Sequence, residues 1–510
     1  MVLTRQPEPL ALTFQLDSNI INYKNMKNKT IYGLFLIIAV LVVSCELPDN
    51  IDPKNAQKVS ADALFTQAQI GLTDQLGSMN VNQNISRLLA QYQSEVTYTT
   101  ESRYLFHDRQ IPDNFSENIY QDALMNLKAA KEVLDAKVVA GDVLVKTKAN
   151  QLALINIWAV YAWHVLVDQF GNIPYTEALM GAENSRPKYD DALTIYQDLI
   201  ARLNDAISKL DPDYDSFGSA DLLYGGDVTS WIKFAASLKL RFALRLADVP
   251  AANSSTLVTQ ALATGVFTNQ AESAIWIPYG IAPYVSPYYQ AFVLDARKDF
   301  CPTNTLVDLM TSLNDPRRAV WFTQYPVGSG NYLGLPYGKA GSSNYRSFSH
   351  FVDGILLNEF FPTILIDYVE VEFLLAEAAE RNLGGVTNPG NHYRTAIEES
   401  MKYWGISTID ANAYLAQASV SYGTATGNYK QKIGTQKWLA LFDRGVEGWA
   451  EWRRFDYPIL NPPQNMTYAD IPVRMPYPFN EDTQNKDNWL QASQAIGGDE
   501  ASTKLFWDKF

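Results

Sequence analysis

Residues 146–170 read KTKANQLALINIWAVYAWHVLVDQF, followed closely by Gly171 and Pro174. Apolar side chains recur here at spacings of three and four residues, the period of one face of an α-helix. They are Leu152, Ile155, Ala159, Ala162 and Leu166. A glycine directly after the last periodic residue, with a proline beyond it, is typical of a helix end. The segment therefore predicts a long amphipathic helix that ends at Phe170.

A second helix is predicted to start after Thr229 and Ser230, which are good capping residues, and to end before Pro250. Its apolar face carries rings and aliphatic side chains, whereas Lys239 and Arg241 lie off that face.

Two more helical segments follow in the C-terminal half of the chain. One is predicted at 364–381, with its acidic residues facing away from the apolar stripe, and one at 436–454, interrupted at Gly445. Helices that recur in pairs with short breaks between them favour a mainly α, repeat-like architecture.

Composition narrows the function classes. The chain has 510 residues, 47% of them hydrophobic, and this is ample for a large core. Its net charge is −14, so it lacks the extended basic field that attracts a phosphate backbone. Nucleic-acid binding is therefore not expected.

The N-terminal region has the pattern of a lipoprotein signal peptide. Lys27 and Lys29 precede an apolar run that ends in Ser44 and Cys45, and the run is too short to span a bilayer comfortably. We therefore predict that 26–44 is a signal peptide, that Cys45 is lipidated, and that 45–60 is a tether. Residues 1–25 are then a non-native extension ahead of the true start, Met26. The alternative is an N-terminal membrane anchor.

Metal and catalytic chemistry have weak signals. Asp211, Asp213 and Asp215 alternate like the opening of a calcium loop and form a candidate calcium site, although the remaining EF-hand positions do not fit. No cofactor is otherwise predicted. The acidic residues on the predicted helices do not form the pair of carboxyl groups that hydrolysis of a glycosidic bond requires, so no catalytic residue and no enzyme activity are predicted.

Five blocks in order resemble the SusD/RagB family, in particular its SusD-like branch. They are WAVYAWHVLVDQFGNIP (158–174), YGGDVTSWIKFAASLKLRFALRLA (224–247), YVEVEFLLAEAAE (368–380), QKWLALFDRGVEGWAEWRR (436–454) and IPVRMPYPFNEDTQNKDN (471–488). The resemblance covers the chain from about 150 to its end.

This resemblance implies a tetratricopeptide-like helical scaffold, decorated by irregular loops and minor β structure, in a single domain over 61–510. It also implies a lipid-anchored protein on the outer face of the outer membrane. Its expected partners are outer-membrane lipid, a SusC-like TonB-dependent β-barrel and an oligosaccharide or peptide ligand. Members of this family bind nutrients and do not cut them.

The aromatic-rich segment 276–351 is the best candidate for ligand binding. Fifteen of its 76 residues are Trp, Tyr or Phe, against 12% aromatic residues in the whole chain, and its glycines and prolines indicate loops or short strands. A sugar ring has an apolar face that stacks on such rings. A second polar and aromatic run lies near residue 100. The predicted ligand-binding residues are Tyr98, Arg103, Tyr104, Trp276, Tyr279, Tyr284, Tyr288, Tyr289, Tyr332 and Tyr337.

The leading hypothesis is therefore a cell-surface glycan-binding lipoprotein that delivers its ligand to the transporter. Three alternatives remain: a peptide-binding, RagB-like lid, a surface glycoside hydrolase, and a purely structural lipoprotein. Aromatic side chains alone do not separate glycan binding from peptide binding.

Overall fold

The computed structural model describes residues 59–510. The predicted extension, the signal peptide, Cys45 and most of the tether lie outside the described residues. The first helix, α1 (Ala61–Gly77), begins directly after Ser60, whose hydroxyl accepts a hydrogen bond from the Ala63 N–H at 3.1 Å. Residues Ser60–Phe510 form one compact unit.

The described helices of eight or more residues are α1 (Ala61–Gly77), α2 (Ile111–Asn118), α3 (Asn126–Ala136), α4 (Asp142–Phe170), α5 (Ala192–Lys209), α6 (Val228–Arg245), α7 (Ser254–Thr264), α8 (Asn304–Ser312), α9 (Tyr368–Glu380), α10 (Pro389–Tyr403), α11 (Thr408–Leu415), α12 (Tyr429–Ala440), α13 (Gly445–Phe455) and α14 (Lys486–Ala495). A π-helical segment, Ile119–Met125, joins α2 to α3. Shorter helical turns connect many of the others.

The strands are short and form three two-stranded antiparallel sheets. They are β1 (Gln93–Glu95) with β5 (Phe300–Pro302), β2 (Ile173–Pro174) with β3 (Tyr189–Asp190), and β4 (Ala274–Trp276) with β6 (Thr363–Ile366). Two of these sheets join segments that are far apart in the sequence, so they fix long loops to the helical scaffold.

Consecutive helices pack against each other in pairs. The pairs α4 with α5, α6 with α7, α9 with α10, and α12 with α13 are in contact, and α9 also packs against α6 and α12. This arrangement confirms the predicted mainly α, tetratricopeptide-like scaffold with minor β structure.

Helix α4 is the central helix of the core. It starts at Asp142, four residues before the predicted start, and ends at Phe170 as predicted. Within residues 59–510 it is the one helix long and apolar enough to span a bilayer, but 83% of its most apolar window is buried inside the fold. The Trp158 ring is fully buried, and its indole N–H donates to the Ala68 carbonyl at 3.1 Å. Helix α4 is therefore a core helix.

Three predicted helix starts were wrong. Helix α12 begins at Tyr429, seven residues before the predicted start at 436. The segment predicted as a helix from 364 begins instead with strand β6, and α9 starts only after Asp367, whose carboxylate accepts a hydrogen bond from the Glu370 N–H at 2.9 Å. Helix α6 begins one turn earlier than predicted, because Asp227 caps it by accepting hydrogen bonds from the N–H groups of Thr229 and Ser230.

Charged residues of these helices lie inside the fold. Lys239 and Arg241 of α6 and Glu370 and Glu377 of α9 are all buried. The Arg241 guanidinium donates to both carboxylate oxygens of Glu370, at 2.7 and 2.8 Å. The helices therefore pack through paired charges as well as through apolar faces.

The aromatic-rich segment is largely irregular, as predicted, but it also contains α8 and strand β5. Thr303 caps α8 by accepting a hydrogen bond from the Leu306 N–H at 3.1 Å. The helix therefore holds the ends of the two loops that precede and follow it.

Candidate functional site

A polar cleft with a volume of about 640 Å³ lies between α1 and the loop 283–297. Its walls are completed by residues 78–83 and by the π-helical segment with its preceding residue, Asn118. A cavity of this size is in the range of ligand-binding clefts. It is bounded on one side by the rigid helical scaffold and on the other by the aromatic-rich segment.

Amide side chains are the main polar groups that line the cleft. They are Gln67, Gln75, Asn80, Asn82, Gln83, Asn118 and Gln290. Several are held in place by hydrogen bonds: the Asn118 amide donates to the Gln75 side-chain oxygen at 2.8 Å, and the Gln75 amide donates to the Gln83 carbonyl at 2.9 Å. Because each amide has both donors and an acceptor, such a wall suits a ligand rich in hydroxyl groups.

Sequence reasoning missed this wall. The signal was present, since seven of the 18 residues 67–84 are Asn or Gln. Amides on a helix are usually solvated surface residues, and the cleft becomes visible only when the loop 283–297 is placed opposite α1.

A close helix contact places two carboxyl groups on the same wall. A Cβ atom at Gly71 of α1 would lie 2.7 Å from the Asp122 Cβ, so only glycine allows the π-helical segment to approach this closely. Burial, and then the charge of Asp122, raise the pKa of Asp74 to about 6. The Asp74 side chain still reaches solvent through the open cleft.

A chain of polar contacts connects one end of the cleft to Tyr98. Arg297 lines the cleft, and its guanidinium Nε donates to Asp299 at 2.6 Å. Asp299 also accepts a hydrogen bond from the Thr97 hydroxyl at 3.1 Å. The next residue, Tyr98, is 69% exposed and is not among the residues that line the cleft.

The aromatic loop beside the cleft exposes two of the predicted tyrosines. Tyr279 and Tyr284 are 49% and 40% exposed, and their ring centroids lie 5.9 Å apart in an edge-to-face arrangement. The residues on either side of Tyr284, Pro283 and Val285, line the cleft. The loop is closed by a hydrogen bond from the Tyr284 N–H to the Ile281 carbonyl at 2.7 Å. The two rings therefore form an exposed apolar surface on the loop that leads into the cleft wall, and neither ring lines the cleft itself.

Three predicted ligand-binding rings are buried instead. Trp276, Tyr288 and Tyr337 are between 1% and 4% exposed. The Tyr288 hydroxyl donates to Asp443 at 2.7 Å, and the Tyr337 hydroxyl donates to the Leu88 carbonyl at 2.8 Å. The prediction that these rings offer a stacking face was wrong, because packing against the protein occupies their faces.

The remaining predicted residues are half-buried. Tyr289 sits between cleft residues Pro287 and Gln290. The Tyr332 ring packs against the Arg318 guanidinium, 4.7 Å from the ring centroid. The Tyr104 ring lies 6.1 Å from the buried Tyr337 ring, and neither Arg103 nor Tyr104 lines the cleft. None of the ten predicted residues lines the cleft itself, although Tyr284 and Tyr289 are chain neighbours of residues that do.

The candidate calcium site is not supported by the geometry. Asp211 pairs with the Lys146 ammonium at 3.1 Å, and the backbone carbonyls of Asp211 and Asp215 accept hydrogen bonds from the Asn150 amide. Across residues 59–510, no group of three or more His, Cys, Asp or Glu side chains converges to hold a metal ion. The alternating aspartates belong to a turn that Asn150 holds in place.

The buried acids of α9 and α13 are neutralised by arginine. Burial by itself would raise the pKa of Glu370, but the charges of Arg241 and Arg444 outweigh it and lower the pKa to about 2. Glu447 behaves in the same way beside Arg241 and Arg245, with a pKa of about 2. These carboxylates stay ionised and paired, and they hold the helices together.

Comparison with known proteins identifies the family. Residues 53–478 match the SusD-like family described as "Starch-binding associating with outer membrane". The match covers most of the sequence, so the chain belongs to the SusD-like family. A search of curated proteins finds no match.

Solved structures share the fold. A protein described as Bacteroidetes AC2a SusD-like superposes with a TM-score of 0.75 at 24% identity, covering 89% of this chain and 100% of that chain. A SusD homologue from Bacteroides uniformis gives 0.74 at 24% identity, with 88% and 99% covered. A chitin-binding SusD homologue from Flavobacterium johnsoniae gives 0.73 at 23% identity, with 88% and 97% covered. The likeness extends over the described helical scaffold and its loops.

Proposed function

We propose that this protein is a glycan-binding lipoprotein of the cell surface that captures an oligosaccharide and delivers it to a SusC-like TonB-dependent β-barrel. The observation that carries the proposal is the amide-lined cleft, one wall of which is formed by the loop that follows the exposed rings of Tyr279 and Tyr284. The family description as starch-binding and the chitin-binding relative support the same ligand class.

The cleft and the loop supply the two kinds of contact that a sugar needs. The apolar C–H face of a sugar ring stacks on tyrosine, while its hydroxyl groups exchange hydrogen bonds with amides and with Arg297. Pro283 and Pro287 stiffen the loop, which reduces the ordering entropy that binding costs. A weak, multi-contact interaction of this kind suits a protein that must release its ligand to a transporter.

We further propose that the protein binds its glycan without cleaving it. Hydrolysis needs two carboxyl groups on either side of the scissile bond, about 5–10 Å apart. Asp74 and Asp122 belong to helices that pack side by side at Gly71, on one wall of the cleft. The third lining carboxylate, Asp295 on the opposite loop, accepts a hydrogen bond from the Gln290 amide at 2.8 Å. Incubation with a fluorescently labelled oligosaccharide should give no shorter product. If the parent protein gives a shorter product and an Asp74→Asn variant does not, the protein is an enzyme.

The lipid anchor at Cys45 is part of the same proposal. The family description associates its members with the outer membrane. A lipid on Cys45, the cysteine that follows the predicted signal peptide, anchors the chain to that membrane. A Cys45→Ala variant should be absent from the outer membrane as a mature-sized protein, which membrane fractionation measures. Full retention of that variant in the outer membrane would exclude Cys45 as the anchor.

Calorimetric titration tests ligand binding. The soluble chain 46–510 is titrated with malto-oligosaccharides, chito-oligosaccharides and oligopeptides. The double variant Tyr279→Ala with Tyr284→Ala should lose about tenfold or more in glycan affinity, because each stacked ring contributes roughly 1 kcal/mol. Tyr468→Ala is the matched control, since Tyr468 is 42% exposed and does not line the cleft.

The outcomes separate the alternatives. Binding of a glycan that weakens only in the double variant supports the proposal. Binding of oligopeptides and no glycan would assign a RagB-like peptide role to the same cleft. Equal affinities for the parent, the double variant and the control would show that the ligand binds elsewhere.

A further inference from the structure

The polar cleft between α1 and the loop 283–297 is lined by more negative than positive charge. Three carboxylates line it, those of Asp74, Asp122 and Asp295, and Arg297 is the one cationic side chain among the lining residues that the structure describes. Three carboxylates against one guanidinium leave a net charge of −2 on the walls when all four groups are ionised. A ligand that enters the cleft therefore meets a negative field.

The acidity of the whole chain does not account for this field. A larger cavity of about 820 Å³ lies between α3, α4 and α5, and its walls carry charge of the opposite sign. Its charged lining residues are Lys128, Lys131, Arg202, Lys209, Asp135 and Asp205. Four cations and two anions leave a net charge of +2, in a chain whose total is −14. The sign of each cavity is therefore a local property of its walls.

The positive charge of Arg297 is already paired. Its guanidinium Nε lies 2.6 Å from a carboxylate oxygen of Asp299, and Asp299 does not line the cleft. The Asp299 side chain is 18% exposed, so the pair is partly shielded from water. Arg297 can still donate to a sugar hydroxyl, but it offers little uncompensated charge to an anionic group of a ligand.

Asp74 and Asp122 lie on the opposite wall without a cation that offsets their charge. Both side chains are exposed and line the cleft. Partial burial, and then the charge of Asp122, raise the pKa of Asp74 to about 6, and partial burial, and then the charge of Glu117, raise the pKa of Asp122. A cation close to either carboxyl group would act in the opposite direction.

Hydrogen-bond chemistry adds to the effect of charge. An ionised carboxyl group only accepts hydrogen bonds, so a sugar hydroxyl can donate to Asp74 or Asp122. The carboxylate or sulfate group of an acidic sugar has no hydrogen to donate, and it brings a like charge into contact with these two acids. The wall therefore favours hydroxyl groups and disfavours anionic substituents.

We propose that the cleft selects uncharged oligosaccharides and rejects those that carry carboxylate or sulfate groups, with Asp74 and Asp122 as the residues that determine this specificity. The inference rests on the proposed function, because it names the class of glycan that the same cleft accepts. The amides of the cleft both donate and accept, so they bind hydroxyl and carboxylate groups alike. The two aspartates supply the discrimination by charge.

Calorimetric titration of the chain 46–510 at pH 8 tests the proposal with three forms of one glycan. The probes are maltohexaose and N-acetylchitohexaose, each in its native form, with its C6 groups oxidised to carboxylates, and with those carboxylates converted to amides. The amide is the uncharged isostere of the carboxylate, so the comparison separates charge from size. The carboxylate form should bind about tenfold more weakly than the amide form, because it places like charges a few ångströms apart.

Variants assign the effect to the two acids. In the double variant Asp74→Asn with Asp122→Asn, the ratio of the amide to the carboxylate affinity should approach one, whatever the absolute affinities are. Glu132→Gln is the matched control and should keep the parent's ratio, since the Glu132 side chain is 65% exposed and does not line the cleft. Both asparagine substitutions preserve size and remove repulsion between like charges, and thermal unfolding checks that each variant is folded.

The pH dependence of the same ratio is a second readout. In the parent the ratio should fall from pH 8 to pH 5, because Asp74, with its pKa of about 6, takes up a proton in this range while the sugar carboxylates stay ionised. The charged groups around Asp74 are Asp122, with Glu117 beside it, and Asp295 and Arg297 on the loop opposite. The single variant Asp74→Asn should lose most of this pH dependence.

The outcomes distinguish this inference from the proposed function. A carboxylate form that binds as tightly as the amide form, or more tightly, would overturn the charge selectivity and leave glycan binding intact. A ratio that is the same in the parent and in the double variant would also overturn it, because the two aspartates would then not be its cause. If none of the three forms of either glycan binds, the proposed function fails, and this inference fails with it.

Discussion

Substitution of Tyr288 tests whether this ring of the aromatic-rich segment packs in the core or contacts the ligand. The ring is 1% exposed and contacts Phe351 and Phe361, with centroids 5.7 and 5.5 Å away. Its hydroxyl donates to Asp443, which also accepts from the Arg87 guanidinium at 2.6 Å. Removing the ring therefore leaves a cavity and takes one hydrogen bond from a buried ion pair.

The expected magnitudes follow from these contacts. Truncation of a buried aromatic side chain to alanine costs about 3–5 kcal/mol of the free energy of unfolding. Tyr288→Phe keeps the ring and loses a hydrogen bond to a charged group, a loss of about 1.5–3 kcal/mol. Tyr284→Ala removes a ring that is 40% exposed and should cost less than about 1 kcal/mol.

Guanidinium unfolding of the three variants, with circular dichroism as the signal, gives these differences. The order of destabilisation should be Tyr288→Ala, then Tyr288→Phe, then Tyr284→Ala. Among the variants that remain folded, Tyr284→Ala should lose the most oligosaccharide affinity, and the two Tyr288 variants should lose less. A Tyr288→Ala variant that unfolds at the parent's midpoint and loses its ligand would refute this reasoning.

Two further predictions concern buried charge. Arg241→Met should lower the free energy of unfolding by about 3–5 kcal/mol, because it removes the bidentate partner of buried Glu370. The double variant Arg241→Met with Glu370→Leu should lose less stability than the sum of the two single variants. Strictly additive losses, measured by chemical unfolding, would contradict the ion pair. Burial, and then the charge of Glu101, raise the pKa of Glu95 to about 9. Between pH 5 and 9 the folded chain therefore holds a proton that the unfolded chain releases, so stability falls as pH rises. Glu95→Gln should reduce that slope by up to about 1.4 kcal/mol per pH unit, measured by urea unfolding at pH 6 and 8; an unchanged slope would contradict the assignment.

The sequence predicted the helical scaffold where periodicity is local. The end of α4 at Phe170 follows from Gly171 and the apolar stripe, both visible within one segment. The run Thr363–Ile366 is strand because it pairs with Ala274–Trp276, about 90 residues earlier, and a local pattern does not reveal that partner. The β-branched residues in this run were the available signal.

Buried charges were beyond a local reading for the same reason. Arg241 and Glu370 are 129 residues apart, and each occurs on a helix where a charged side chain is usually solvated. Their burial depends on the packing of α6 against α9, so it is a property of the assembled scaffold. A local pattern shows that Arg241 lies off the apolar face of its helix, but it does not show that the side chain is buried.

The sequence predicted that the aromatic segment is a ring-rich loop, but it did not predict which of its rings are exposed. Tyr284 and Tyr288 are four positions apart in the same loop, yet one is 40% exposed and the other 1%. Composition identifies a ring-rich loop but does not distinguish the ring that packs inward from the ring that faces solvent. The amide wall of α1 was missed because its partner wall is more than 200 residues away in the sequence.

A crystal structure of the chain 46–510 with a bound oligosaccharide, chosen from whichever malto- or chito-oligosaccharide binds in calorimetry, tests the central claim most directly. The account predicts a sugar ring stacked on Tyr279 or Tyr284, with hydroxyl groups in hydrogen-bond distance of Gln75, Asn118 or Arg297. A ligand bound at another surface, with the cleft between α1 and 283–297 holding only solvent, would contradict it.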